Sequence, residues 1–168
     1  MGPKFLRGTD INKTSFIDWD TVPYCPNANL DFEKFRLEPG DIVVIRMADP
    51  GKVGIIEKVI DAVFASYLVR LKRVTERISS YYLFYALSDA GYQGFITNAS
   101  TGSTRVSASA KLLVNYSIIV PDRRLVPLFD DQVAPIRKQM NVLLNQNARL
   151  RQARDLLLPR LMSGEIAV

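Results

Sequence analysis

From Phe129 to Leu161 the chain steps alternately four and three residues along one line: Phe129, Val133, Ile136, Met140, Leu143, Asn147, Leu150, Arg154, Leu157 and Leu161. Such spacing is a heptad repeat, which confines these residues to a narrow seam on an α-helix. No other feature limits the fold so strongly, because the seam needs a second surface to cover it. That surface is either the chain's own domain, with the helix folded back, or a helix from elsewhere. A stripe lying on a globular domain usually widens to a third or fourth apolar position per repeat. Here the seam is narrow and flanked by Gln139, Gln146, Arg149 and Gln152, which favours an outside helix.

The helix is expected from about Val126 to Pro159, starting or bending at Pro135, where the ring removes one backbone donor. Asn147 stands where an apolar residue would stabilise more. A single Asn in a seam fixes register and partner number, since mispaired arrangements strand its amide among apolar groups. Arg154 is a poorer seam residue, its stem packing while the guanidinium reaches the edge.

Ahead of Pro121 the pattern is that of a mixed α+β unit. "LEPGDIVVIRM" sets the Pro39-Gly40 turn before a β-branched run, and "ADPGK" is a second turn before "VGIIEKV", which together predict a hairpin. Residues 62–74 read as one further strand. "ISSYYLFYALSDAGY" carries Leu83, Ala86, Leu87 and Ala90 at helical spacing behind a serine cap, predicting a short helix that ends near Gly91. Residues 114–121, "VNYSIIVP", read as a final buried strand stopped by Pro121. Two domains are expected, 1–122 and 123–168.

Several function classes are disfavoured. The chain has no histidine and one cysteine, so it lacks the commonest general base and cannot assemble a typical zinc site. No Walker loop or "GxGxxG" is present, and "STGSTR" lacks the Lys-Ser ending of a phosphate loop. Neither a cofactor nor catalysis by this chain is expected. Lone Cys25 and the lack of a signal-peptide pattern predict a cytoplasmic protein, and the apolar runs are too short to span a membrane. Lys and Arg exceed Asp and Glu by 22 − 17 = 5, a basic balance that permits a nucleic-acid partner.

The ending "LNQNARLRQARDLLLPRLMSGEI" closely resembles the conserved helix and terminal motif of the specificity (S) subunits of Type I restriction-modification systems. The Leu-Leu-Pro-x-Leu-x-Ser-Gly-Glu-Ile signature stands at Leu157 to Ile166. The resemblance continues through "STGSTRVSASAKLLVNYSIIVP", "LEPGDIVVIRM" and "LRGTDI", covering nearly the whole chain. It implies a target recognition domain at 1–122 and a conserved dimerising coiled-coil helix at 123–168. Family members usually carry two of each, so the chain looks like half of an S subunit. The tryptophan-led strand and Gly-x-x-Pro turn that usually open a recognition domain are missing, as in a truncated product or fragment.

The resemblance implies a non-catalytic role: recognising double-stranded DNA for methyltransferase subunits and, through the complex, an endonuclease subunit. The helix is expected to pair with an antiparallel one at Val133, Ile136, Met140, Leu143, Asn147, Leu150, Leu157 and Leu161, either in a homodimer of half-length chains or with the other conserved region of a full subunit. Base and phosphate contacts need cations and small polar residues on loops. Arg7 and Lys13 around "GTDINK", Arg46 and Lys52 around "ADPG", and Asn98, Ser103, Thr104 and Arg105 in "NASTGSTR" answer that description. The alternative is a protein-interaction scaffold whose domain is held by a dimerising helix and reads no base.

Overall fold

The computed structural model describes residues 2–26, 32–99 and 106–166. The chain divides into two compact units, Met1–Asp130 and Asp131–Val168, with the division falling inside the longest helix. The first unit is mixed. Strands β1 (Lys4–Leu6) and β4 (Ala62–Phe64) pair in parallel, while β2 (Ile42–Ile45) lies antiparallel between β3 (Val53–Ile55) and β5 (Leu68–Leu71). Helices α1 (Ser80–Ser88), α2 (Ala90–Ala99) and α3 (Ala110–Val114) follow.

The sequence Ile42-Val43-Val44-Ile45 does not alternate in polarity because β2 is covered on both faces. Val43 and Ile45 join Leu6, Ile11, Trp19 and Leu68 in one cluster, and Ile42 and Val44 join Phe84, Leu87, Tyr92 and Ile96 in a second. The β2–β3 hairpin forms as its turn residues predict. Gly51 adopts φ +94, and a Cβ there would stand 3.1 Å from Ile96 Cγ2 and 3.2 Å from Ile96 Cβ. Gly51→Ala is therefore expected to destabilise the protein by about 1–3 kcal/mol, the cost of a left-handed non-glycine residue plus crowding. Urea denaturation checks this, and an unchanged midpoint would contradict it.

Three expectations are corrected. Residues 62–74 form two strands, because β4 pairs with β1 and β5 with β2, so the chain must leave one sheet for the other. It does so in a turn at Ala65, whose carbonyl accepts from Leu68 N–H at 2.9 Å. The helix expected to end near Gly91 ends at Ser88. Its start matches the sequence: Ser79 Oγ accepts from Tyr82 N–H at 3.0 Å. Asp89 then caps a new helix, its Oδ2 accepting from Gly91 N–H at 2.9 Å, so Gly91 lies in the first turn of α2. Residues 114–121 form no strand. Ser109 caps α3, and the segment after it has no ladder partner among the described residues; the Ile119 carbonyl instead accepts from the Tyr82 hydroxyl at 2.6 Å.

Helix α4 runs Leu125–Met162, 38 residues, longer than expected at both ends and continuous through Pro135 and Pro159. Pro135 is thus not its start. Within the first unit its opening turn is tied to α1: Phe129 packs edge-on against Tyr82 and Tyr85, and Ser79 Oγ donates to Asp130 Oδ1 at 2.6 Å. In the second unit the helix closes on Ser163-Gly164. Gly164 takes φ +74, its N–H donates to the Leu161 carbonyl at 3.2 Å, and Glu165 N–H donates to Arg160 at 3.0 Å. These bonds are a Schellman cap, which occupies the carbonyls a helix end leaves free. The Ser-Gly-Glu ending is therefore a stop written in backbone geometry.

Candidate nucleic-acid interface

The β2–β3 turn, residues 46–52, is the centre of the candidate site. Arg46 is pinned through its backbone: its N–H donates to the Tyr67 carbonyl at 2.9 Å, and its carbonyl accepts from Ala108 N–H at 2.8 Å. Ala48 N–H donates to Val106 at 3.0 Å, and Met47 bridges to Ser107. The hairpin tip is thus stapled to the residues that follow "TGSTR". Ser103, Thr104 and Arg105 themselves lie outside the described residues. Ala48 adopts φ 72, an uncommon left-handed conformation for a residue with a Cβ. Backbone strain of this kind concentrates where surrounding structure fixes a functional tip.

The candidate cations fall into two groups. Arg7 is committed, its Nη2 to Asp10 Oδ1 at 2.8 Å and its Nε to Asp10 Oδ2 at 3.2 Å, while its backbone N–H donates to the same carboxylate at 2.8 Å. Those hydrogen bonds raise the Arg7 pKa further above its ordinary value. Arg46, Lys13 and Lys52 have no side-chain ion pair or hydrogen bond among the described residues. Among the described residues, Arg46 Nε is buried without an acceptor. A buried N–H donor left unsatisfied is costly.

Lys13 and Lys52, far apart in sequence, line one hollow of about 230 Å³ with Asn12, Thr14 and Gln93. Beside it a second hollow of about 460 Å³ is lined by Phe5, Ile45, Met47, Ala48, Ala65 and Tyr67, with Arg7 also in its wall. Asn12 borders both, and its Nδ2 donates to Asp49 Oδ2 at 3.0 Å, tying the Gly8–Asp10 turn region to the hairpin. Among the described residues, Asn12 Oδ1 is buried without a partner. Sequence reading missed Asn12, Asp49, Met47 and Tyr67; the only local signal was an Asn within "GTDINK". Asn98 is an exposed residue in the last turn of α2 and lines neither hollow. The arrangement offers uncommitted positive charge for phosphates beside an apolar concavity.

In the second unit most of the expected pairing positions are open. Ile136, Met140, Leu143, Leu150, Leu157 and Leu161 are each at least 41% exposed, Asn147 is exposed, and Val133 is half-buried. Leu144 and Leu158 are also exposed and broaden the seam on one side.

No protein-family model matches the chain. Among curated proteins it is similar to the specificity subunit of the Type I restriction enzyme HindI of Haemophilus influenzae, at 29% identity over 86 residues, which is 51% of this chain and 19% of that protein. Among solved structures, its fold resembles the S subunit of a Type I restriction-modification system from M. genitalium, with TM-score 0.61 and 17% identity over 96% of this chain and 39% of that one. A second resemblance is to a chain from a structural study of complex assembly and conformational transition in the type I R-M system, with TM-score 0.54 and 18% identity over 95% and 38% of the two chains. The chain thus spans about two-fifths of the length of those solved chains, and the curated match covers about a fifth of that relative. The mixed unit and the long helix together have the S-subunit fold.

Proposed function

We propose that this chain, built on the S-subunit fold, is a DNA sequence-recognition element that directs adenine methylation and restriction carried out by partner subunits. The mixed unit reads DNA, and α4 pairs antiparallel with the helix of a second copy. The observation that carries this reading is the meeting of Lys13 and Lys52, with no side-chain partner among the described residues, in one hollow that shares Asn12 with a second hollow at the hairpin tip. A duplex presents phosphates that such cations neutralise, and base edges that a rigid hairpin tip can approach. A scaffold that reads no base leaves this convergence without a role. Asn98, Ser103, Thr104 and Arg105 are proposed as further contacts.

The test is selection of retained sequences from random duplex, with the cognate methyltransferase subunit present. Recovery of a defined sequence is expected, whereas unselected DNA would point to a scaffold. Arg46→Ala and Lys52→Ala are each expected to lower the slope of log affinity against log salt by roughly one, the loss of one phosphate contact, with the fold intact. Binding equal to the unsubstituted chain across the titration would move the reading surface elsewhere.

A further inference from the structure

The larger hollow is apolar, which is unusual beside a cluster of cations. Phe5, Ile45, Met47, Ala48, Ala65 and Tyr67 form its lining, and Tyr67 is 54% exposed at its edge. Among its polar neighbours Arg7 is held by Asp10 and Asn12 Nδ2 donates to Asp49, which leaves chiefly the small hydroxyls of Thr9 and Ser66 beside the apolar lining. A group entering the hollow therefore gains dispersion and loses water, with few hydrogen bonds on offer. Whatever enters must also tolerate, or carry the counter-charge to, Lys13 and Lys52 in the adjoining hollow. On a polyanionic duplex the apolar group displayed in the major groove is the thymine 5-methyl. The polar edges of the bases would be stranded here without partners.

We infer that this hollow is a subsite for thymine 5-methyl groups, with Met47 and Tyr67 as specificity-determining contacts. The inference rests on the DNA-reading function proposed above. At about 460 Å³ the hollow admits the methyls of neighbouring thymines. The staple of Arg46, Met47 and Ala48 onto residues 106–108 holds Met47 at a fixed position in the wall. The lysine hollow across Asn12 then lies along the adjoining phosphates.

The experiment uses the full chain with its methyltransferase subunit and the duplex recovered by selection. Each thymine is replaced in turn by deoxyuridine, which removes only the methyl, and affinity is read by fluorescence anisotropy. At one or two positions binding should weaken roughly fourfold, the value of one buried methyl. At those positions the uridine penalty should shrink toward zero in Met47→Gln and in Tyr67→Ser. A selected sequence lacking thymine, no sensitive position, or a penalty undiminished in both variants would each overturn the subsite while leaving sequence-specific DNA binding in place. Absence of any selected sequence would overturn the DNA-reading function and the subsite together.

Discussion

Replacing Leu143 and Leu150 together by Asp is expected to convert the proposed helix-paired dimer into monomers at all accessible concentrations. Both leucines are exposed in the single chain, at 47% and 66%, so the substitution costs the isolated helix little packing. In an antiparallel pair each buried leucine contributes roughly 1.5–3 kcal/mol. A carboxylate left unpaired in the same apolar seam is more costly still. Two substitutions on each of two helices therefore remove on the order of 10 kcal/mol, which exceeds the association energy of a micromolar dimer. Sedimentation velocity reads the outcome directly, and fluorescence of buried Trp19 reports whether the mixed unit stays folded. An unchanged sedimentation coefficient would show that this seam is not the pairing surface.

If the proposed helix pair sets the distance between two DNA half-sites, inserting one heptad between Leu143 and Leu150 is expected to lengthen the unread spacer and leave both half-sites unchanged. Seven helical residues add ~10.5 Å, or roughly three base pairs at ~3.4 Å each. Residues 131–162 of α4 supply ~48 Å at ~1.5 Å per residue, close to one and a half turns of DNA at ~34 Å per turn. A homodimer relates its copies by a two-fold axis, so the half-sites should be inverted repeats. Methylation mapping of the insertion variant measures the spacer. A constant spacer would mean that something other than the helix pair sets the distance, and direct repeats would rule out the two-fold arrangement.

What could be read in advance was whatever local chemistry dictates. The Ser79 cap, the glycine turn of the hairpin and the heptad seam each declare themselves within a few residues, and each appears where expected. What could not be read depends on partners distant in sequence. Residues 62–74 have strand character throughout, but the turn at Ala65 exists because two different sheets claim the two halves. "VNYSIIV" has the composition of a buried strand, yet it has no ladder partner among the described residues, and Ile119 is 83% exposed. Asp89 is a capping residue as plain as Ser79, but Gly91 behind it reads equally well as a stop. At the site, Lys13 and Lys52 were recognisable one at a time. Their shared hollow was not, because three segments far apart in sequence, 11–15, 52–53 and 84–93, build it. Asn12 and Tyr67 carry no signal beyond their residue type, and only the fold brings them to the hairpin tip.

The double covering of β2 has a consequence for how such a chain can change. Both clusters grip residues 42–45, and residues 46–50 lie just beyond that grip, anchored by main-chain bonds at Arg46 and Ala48. Main-chain bonds are indifferent to side-chain identity. Mutations at Met47 and Pro50 can therefore accumulate with little toll on folding, whereas Asp49 is also held through its side chain by Asn12. On the proposed DNA-reading function, the hairpin tip is a replaceable head on a shaft held by its core, and new target sequences become accessible by changes at a handful of codons that leave the core untouched.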